Sequence, residues 1–154
     1  AAVVTNAYAI AVRELGRFVS ACGAPEDYLP APELMRELES VSHREYCTGF
    51  LYDDPAVCAN TVSSPGYIRD KAYLAAALAG AAAGEPALFI QKNKISSGDR
   101  AELLTPGQTG KSFTVGGMTD GEGAPVTSAP HPGMRFYTAL PFPVRAGDII
   151  RAAD

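Results

Sequence analysis

The stretch ALFIQKNKISSGDRAELLTPG, residues 87–107, decides the fold. It holds two short runs that suit β-strands, Ala87 to Gln91 and Arg100 to Leu104. Ser97-Gly98-Asp99 separates these runs and Thr105-Pro106-Gly107 closes the second one. Glycine, proline, serine and aspartate favour tight turns because they pre-set or tolerate the backbone angles that turns need. Short runs between regularly spaced turns predict an all-β barrel or sandwich.

The same alternation of short runs and turns extends through residues 63–154. It predicts four further strands: Ala72 to Leu78, Ser112 to Val115, Arg135 to Ala139 and Ile149 to Ala152. The first of these lies in an alanine-rich segment, and alanine favours helix. The turns on either side of that segment favour a strand.

Residues 1–62 have a different pattern, which predicts helices. The apolar residues recur at the spacing of one helix face: Val4, Tyr8, Val12, Leu15 and Val19. Gly23 and Pro25 end this first helix, and a second helix begins near Pro32, since proline suits the first helical position. We therefore expect a mainly β protein, in which a helical connector (1–62) precedes a small β-barrel (63–154).

Bulk composition limits the classes of function. The 154 residues suffice for one domain with a hydrophobic core. No apolar run reaches the ~18 residues that a membrane span needs, and no signal-peptide pattern is present. Cys22, Cys47 and Cys58 form an odd set without CxxC spacing, which favours free thiols in a reducing compartment. We expect a cytoplasmic protein without a membrane partner.

The segment GQTGKS, residues 107–112, looks like the end of a phosphate-binding loop. A P-loop requires a glycine five positions before the second glycine, and that position is Thr105. The residues after Lys111 favour a strand and not the helix that would help to hold the anion. The sequence therefore predicts a hairpin turn and no nucleotide site.

Five stretches carry a family resemblance when they are taken in order. They are ELESVSHREYCTGF (37–50), GYIRD (66–70), QKNKISSGDRAEL (91–103), APHPGMRF (129–136) and RAGDIIR (145–151). Together they resemble the C-terminal region of the U32 family, long described as collagenase-like peptidases. The residues that match the family signature are His43, Arg44, Glu45, Tyr46, Gly49, Phe50, Asn93, Lys94, Gly98, Asp99, His131 and Pro132.

The resemblance implies a C-terminal β-barrel similar to those of translation factors and RNA-modifying enzymes. It also implies an N-terminal catalytic domain absent from this chain, of which residues 1–62 would be the tail. Some family members look like RNA hydroxylases, with an iron–sulfur cluster in the catalytic domain and prephenate as the hydroxyl donor. We expect this chain to hold no cofactor and to be catalytically inactive by itself.

A metal site in this chain would have to use His43, Cys47, Cys58 and His131, whose spacing matches no compact zinc pattern. Three cysteines are also too few for an iron–sulfur cluster. We therefore expect no metal here. Whether His43 and Glu45 have a functional or a structural role stays open, and the tight flanking prolines make His131 a rigid loop residue that could contact a partner.

Basic residues on or beside the predicted strands are candidates for RNA binding: Lys92, Lys94, Arg100 and Lys111. Phosphate contacts from such residues would be sequence-independent and salt-sensitive. The predicted strands also carry four aromatic residues, Phe89, Phe113, Phe136 and Tyr137. Outward-facing aromatic residues would stack on bases, whereas inward-facing ones would fill the barrel core.

Three functions are consistent with these observations. The first is an accessory domain that positions tRNA or rRNA for a hydroxylase, beside the catalytic domain of the same protein. The second is the substrate-binding domain of a collagenase-like peptidase, which would grip a polypeptide through an apolar groove or a free strand edge. The third is a structural or oligomerisation barrel, whose sign would be a flat apolar patch.

Overall fold

The computed structural model describes residues 1–41 and 71–153. Within them, helices α1 (Ala2–Ser20) and α2 (Pro32–Glu39), with a 3-10 turn at Pro25–Asp27 between them, precede the strands. The strands are β1 (Tyr73–Ala77), β2 (Pro86–Gln91), β3 (Ile95–Ser96), β4 (Arg100–Leu104), β5 (Lys111–Thr114), β6 (Met118–Asp120), β7 (Pro125–Val126), β8 (Ser128–Ala129), β9 (Arg135–Ala139) and β10 (Ile149–Ala152). The expected boundary between residues 62 and 63 lies outside the described residues.

Eight of these strands form one curled antiparallel sheet, a half-barrel, in the order β5-β4-β10-β1-β2-β9-β6-β7. Strands β3 and β8 pair separately in a two-stranded ribbon. The prediction of a mainly β fold preceded by two helices is confirmed. All six predicted strands are present, and the alanine-rich segment is indeed a strand, because β1 lies between β2 and β10 and pairs with both.

The core fills the concave side of the sheet. Phe89 of β2 and Phe136 of β9 are fully buried, and their rings stack with centroids 5.6 Å apart. Ile150 of β10 and Leu103 of β4 lie on the same side and are equally buried. Each such side chain contributes about 1.5–3 kcal/mol through burial. Alternate residues point to the convex side, where the helices pack.

The predicted first helix is confirmed as α1, but the apolar residues that indicated it do not form its buried side. Tyr8 is 61% exposed and Val12 is 67% exposed, whereas Ala7 and Ile10 are buried. The contacts of α1 with the sheet are polar ones, and a pattern that counts only apolar residues does not detect such a face.

Those polar contacts fix α1 to the turn between β4 and β5. Asn6 accepts a hydrogen bond from the Gly107 N–H (2.7 Å) through Oδ1, and its Nδ2 donates to the carbonyl of Gln108 (2.9 Å). Arg13 Nη2 donates to the carbonyl of Gly107 at 3.0 Å. Gly107 has a φ of +82°, which a residue without Cβ adopts without strain. The predicted hairpin turn is confirmed, and α1 is hydrogen-bonded to this turn.

Helix α2 is held by a cluster of buried and half-buried polar side chains that we call the ion cluster: the charged residues Arg151, Glu37, Glu102 and Lys71, and the hydroxyl of Ser40. Arg151 Nη1 lies 2.8 Å from Glu37 Oε2, and its Nη2 lies 2.7 Å from Glu102 Oε2. Lys71 Nζ lies 2.8 Å from Glu102 Oε1, and Arg151 Nη1 donates to Ser40 Oγ at 2.6 Å. Burial by itself would raise the pKa of Glu102, but the hydrogen bonds from Lys71 and Arg151 outweigh it and lower that pKa.

The second glycine of GQTGKS belongs to this ion cluster. The N–H of Gly110 donates to Glu37 Oε1 at 2.9 Å. A Cβ at this position would lie 2.8 Å from Glu102 Oε2 and 2.9 Å from Arg151 Nη2. Lys111 Nζ lies 5.7 Å from the centroid of the Phe142 ring, in a cation–π contact. The glycine and lysine of the apparent phosphate motif thus have structural roles, and the motif continues into strand β5.

Candidate nucleic-acid interface

The strand register brings several basic residues to one end of the sheet. Strand β1 begins where β2 ends, since Ala75 lies opposite Gln91. Strand β9 begins at the same end, because Arg135 lies opposite Ile90. Lys92 and Lys94 follow the last residue of β2, so they leave the sheet at this end as well.

Arg100 reaches this end from the other side of β1. It is the first residue of β4, and its carbonyl accepts a hydrogen bond from the N–H of Ala153 (3.1 Å), just beyond β10. The N–H of Ala152 in turn donates to the carbonyl of Ala72 at 2.8 Å, beside the start of β1. We call this region the basic end; it comprises Tyr73, Lys92, Lys94, Arg100, His131 and Arg135.

The four cationic side chains of the basic end are available to a ligand. Lys92, Lys94, Arg100 and Arg135 are exposed. None of them makes an ion pair or a side-chain hydrogen bond with another residue of the described ranges. The sequence analysis selected three of these four as candidates for RNA binding. It did not select Arg135, because only the pairing of β9 with β2 brings this residue to the basic end.

The nearby acidic groups are occupied by their own turns. Asp99 Oδ2 accepts a hydrogen bond from the N–H of Ser96 at 2.8 Å. Asp120 Oδ1 accepts from the N–H groups of Glu122 and Ala124, both at 2.9 Å. These carboxylates fix the loops around the basic end, and within residues 1–41 and 71–153 no acidic side chain pairs with the lysine and arginine side chains there.

Lys111, the fourth predicted RNA-binding residue, does not join the others. It lies at the opposite end of the sheet, because it starts β5 and pairs with Leu103, whereas Arg100 pairs with Thr114. This is the end at which α1 binds the turn at 107–108. The structure therefore brings together Lys92, Lys94 and Arg100 and separates Lys111 from them.

The signature residues between 93 and 99 build a rigid loop. Asn93 Nδ2 donates to the carbonyl of Tyr73 at 2.6 Å, and Gly98 adopts a φ of +91°. The N–H of Gly98 donates to the carbonyl of Val115 at 2.8 Å, and Asp99 closes the turn as described above. Lys94 is the member of this set whose side chain has no role in the loop, and it is exposed.

The aromatic residues chosen from the sequence mostly belong to the core. Phe89 and Phe136 are fully buried and Phe113 is 8% exposed, so these three do not face a ligand. Tyr137 is half-buried. The exposed aromatic residue at the basic end is Tyr73, 41% exposed, which sequence reasoning did not select.

His131 and Pro132 lie in the exposed loop before β9, beside the end of β2. The carbonyl of His131 accepts a hydrogen bond from the N–H of Met134 (3.0 Å), and the N–H of Gly133 donates to the carbonyl of Gln91 (3.1 Å). This loop therefore anchors directly on the last residue of β2, next to Lys92. The signature residues between His43 and Phe50 lie outside the described residues.

Comparison with known proteins agrees with this architecture. The model of the peptidase family U32 C-terminal domain matches residues 72–151, which contain every strand described above apart from Ala152, the last residue of β10. The chain belongs to peptidase family U32. It is similar to the tRNA hydroxylation protein P of Escherichia coli (strain K12), with 30% identity over 122 residues. The match covers 79% of this chain and 26% of that relative, so this U32 chain spans about a quarter of the relative's length.

Two solved structures share the fold of the U32 domain. Both are crystal structures of the C-terminal domain of a U32 peptidase from Geobacillus thermoleovorans, one of them a selenomethionine variant. The first covers 53% of this chain and 92% of its own, with a TM-score of 0.50 and 18% identity. The selenomethionine variant covers 52% of this chain and 98% of its own, with a TM-score of 0.47 and 18% identity.

Across residues 1–41 and 71–153, no group of three or more histidine, cysteine or acidic side chains is placed to hold a metal ion. Cys22 is an exposed free thiol. Cys47 and Cys58 lie outside the described ranges. The chain has three cysteines, which does not fit the four thiolates of an iron–sulfur cluster.

Within residues 1–41 and 71–153, neither α1 nor α2 is both long and apolar enough to cross a bilayer.

Proposed function

We propose that this U32 C-terminal domain binds tRNA at its basic end and positions it for a tRNA-hydroxylating enzyme. The observation that carries the proposal is the convergence of Lys92, Lys94, Arg100 and Arg135, all exposed and without an acidic partner in the described residues. The relative named tRNA hydroxylation protein P supports tRNA as the partner. We infer an accessory role, because the described residues of the basic end include cations, Tyr73 and His131 but no assembled acid–base or nucleophilic group.

The geometry suits a phosphate backbone better than an acidic peptide. The cations extend from β2, β4 and β9, across strands that lie about 4.8 Å from their neighbours. A row of positive charges along one end of a sheet can follow the phosphates of an RNA chain. Such contacts fix the position of the RNA without reading its sequence. The rigid loops at 96–99 and 131–134 keep the charges in place, so little entropy is lost when RNA binds.

In this proposal the chemistry resides in another part of the parent protein. An iron–sulfur cluster with prephenate as the hydroxyl donor would be held by a catalytic domain beyond this chain, since the three cysteines here are too few to hold one. The chain by itself should then turn over neither RNA nor peptide. Its contribution is to hold the tRNA in the correct register for that catalytic domain.

The direct test is binding of fluorescently labelled tRNA to the 154-residue chain, followed by anisotropy at several salt concentrations. The affinity should fall steeply between about 50 and 200 mM salt, because each phosphate contact releases counterions. The double variant K92A/K94A should weaken binding by about tenfold or more at low salt, and the slope of log affinity against log salt should decrease by about 2.

K111A is the matched control, since it removes an exposed lysine from the opposite end of the sheet. It should leave both affinity and slope unchanged. Salt-independent binding, or equal losses from K111A and K92A/K94A, would contradict the proposal. Binding of gelatin in place of tRNA would support a polypeptide-gripping domain instead.

The parent protein can be tested in cells by nucleoside mass spectrometry of total tRNA and rRNA, with and without the full-length gene. The proposal expects a hydroxylated nucleoside to disappear on deletion. Complementation with the full-length gene carrying K92A/K94A should restore it less well than complementation with K111A. An unchanged nucleoside profile on deletion would contradict the assignment to RNA hydroxylation.

A further inference from the structure

Tyr73 is an aromatic side chain held open to solvent beside the lysines of the basic end. It begins β1 and is 41% exposed, although the residues that follow it, Leu74 and Ala75, are buried. Burial of a large aromatic side chain stabilises a fold through the apolar area that it removes from water. The fold leaves much of that stabilisation unused at this position.

A break in the strand register separates Tyr73 from the rest of β1. Tyr73 lies opposite Arg151 and Ala75 lies opposite Ile150, so the register with β10 shifts between these two residues of β1. A β-bulge of this kind redirects a side chain and is over-represented next to functional sites. Here it places both Leu74 and Ala75 in the core and leaves the ring of Tyr73 outside.

The backbone around Tyr73 is bonded directly to the lysine segment. The carbonyl of Tyr73 accepts a hydrogen bond from Asn93 Nδ2 at 2.6 Å. The carbonyl of Leu74 accepts from the N–H groups of Lys92 (2.8 Å) and Asn93 (3.1 Å). The backbone at Tyr73 and Leu74 is thus hydrogen-bonded to the segment that carries Lys92 and Lys94, so the two segments lie side by side.

We propose that Tyr73 stacks on an unpaired base of the bound RNA, while Lys92 and Lys94 contact the phosphates beside that base. This deepens the proposed function and rests on it, because it names the part of the RNA that the basic end recognises. An aromatic ring offers its face to a base that has left a helical stack, and it gains nothing from a base that remains within a duplex. The preferred ligand is therefore a single-stranded loop and not a stem.

The chain contains no tryptophan, so a single replacement provides a unique fluorescent reporter. Y73W should retain RNA binding, and its fluorescence should be quenched when a stem-loop RNA is added, because stacking brings the base onto the indole. The matched control is Y8W, since Tyr8 is an exposed tyrosine on α1, the helix that binds the turn at the opposite end. Its fluorescence should not change when the same RNA binds.

Affinity measurements complete the test. Y73F should bind the stem-loop as tightly as the unchanged chain, because the ring is kept. Y73A should bind it about five- to a hundredfold more weakly, which corresponds to the loss of one base–aromatic stack. An RNA duplex of the same length should bind the unchanged chain and Y73A equally well. The thermal unfolding of Y73A shows whether the variant is folded, and Y73F and Y73W keep the test valid if it is not.

The outcomes separate the two proposals. If the chain binds the stem-loop but Y73W is not quenched and Y73A loses no affinity, stacking on Tyr73 is overturned and tRNA binding at the basic end stands. If duplex and stem-loop bind the unchanged chain equally and Y73A weakens both alike, the preference for a loop is overturned. If no RNA binds at all, the proposed function fails together with the role of Tyr73.

Discussion

Arg151 of the last strand binds Glu37 of α2 across 114 residues of sequence, with 2.8 Å between Nη1 and Oε2. Both side chains are buried, and Glu102 lies on the other side of the same guanidinium. One arginine therefore joins the helical part of the chain to the sheet.

Replacing Arg151 by alanine should destabilise the fold strongly. The change leaves Glu37 buried without its guanidinium partner and leaves Glu102 with Lys71 as its remaining cation, and loss of one member of a buried ion pair costs about 3–5 kcal/mol. Urea denaturation measures the change in the free energy of unfolding. The control is R145A, which removes an exposed arginine and should change that free energy by less than about 0.5 kcal/mol. Equal effects of the two variants would mean that the ion cluster does not stabilise the fold.

Gly110→Ala should also destabilise the fold, because the new Cβ would lie within 3 Å of Glu102 Oε2 and Arg151 Nη2. The ion cluster would have to shift, and we expect a loss of about 1–3 kcal/mol, the usual cost of overpacking a tight site. Gly117→Ala is the matched control, since a Cβ there meets no atom within 4 Å. Thermal unfolding of the two variants gives the comparison, and a normal melting temperature for G110A would show that the cluster adapts freely.

Gly16→Ala should stabilise the protein by about 0.5–1 kcal/mol. Gly16 lies within α1, its Cβ would meet nothing within 4 Å, and alanine is the better helix former. The same substitution at Gly84, where the space is equally open but φ is +82°, should destabilise by about 1 kcal/mol. The pair separates backbone conformation from crowding, and a gain at both positions would contradict the backbone argument.

The stability of the fold should depend on pH through Glu102. Its pKa is lowered in the folded state, so its contribution is complete above the unfolded pKa of about 4.3. That contribution is lost as the pH falls through the lower folded pKa. The free-energy difference between the unchanged chain and E102Q should therefore shrink between about pH 5 and pH 2. A difference that stays constant over this range would exclude Glu102 as the titrating group.

The strands could be predicted from the sequence because their signals are local. A glycine or proline turn lies at one or both ends of each of the six longer strands, and the turn at Thr105-Pro106-Gly107 has the predicted role. Short strands such as β7 and β8 contain two residues each, too few for a periodic pattern to register. The apolar spacing on α1 predicted the helix but not its buried side, because Asn6 and Arg13 fix that helix to the sheet through polar contacts.

The candidate site could be predicted in part. Lys92, Lys94 and Arg100 stand close together in the sequence, but β2 and β4 are not paired, and these residues share one end of the sheet because of the strand order β4-β10-β1-β2. Arg135 joins them through a strand pair that no local pattern reveals. Tyr73 was missed because strict alternation in β1 does not anticipate the bulge that turns its ring outward. The sequence feature that could have indicated Tyr73 as a site residue is its position as a lone aromatic residue at the start of an alanine-rich strand.

The position of Arg151 also sets an order of events during protein synthesis. The chain leaves the ribosome from its N-terminus, so α1 and α2 emerge well before the strand that carries this arginine. Until β10 has emerged, Glu37 lacks its partner and α2 cannot dock on the sheet. The helices must therefore wait, with their apolar residues accessible to chaperones, until almost the entire sheet has been made. A nascent chain stalled before residue 151 should be cleaved by protease near α2, whereas the released chain should resist.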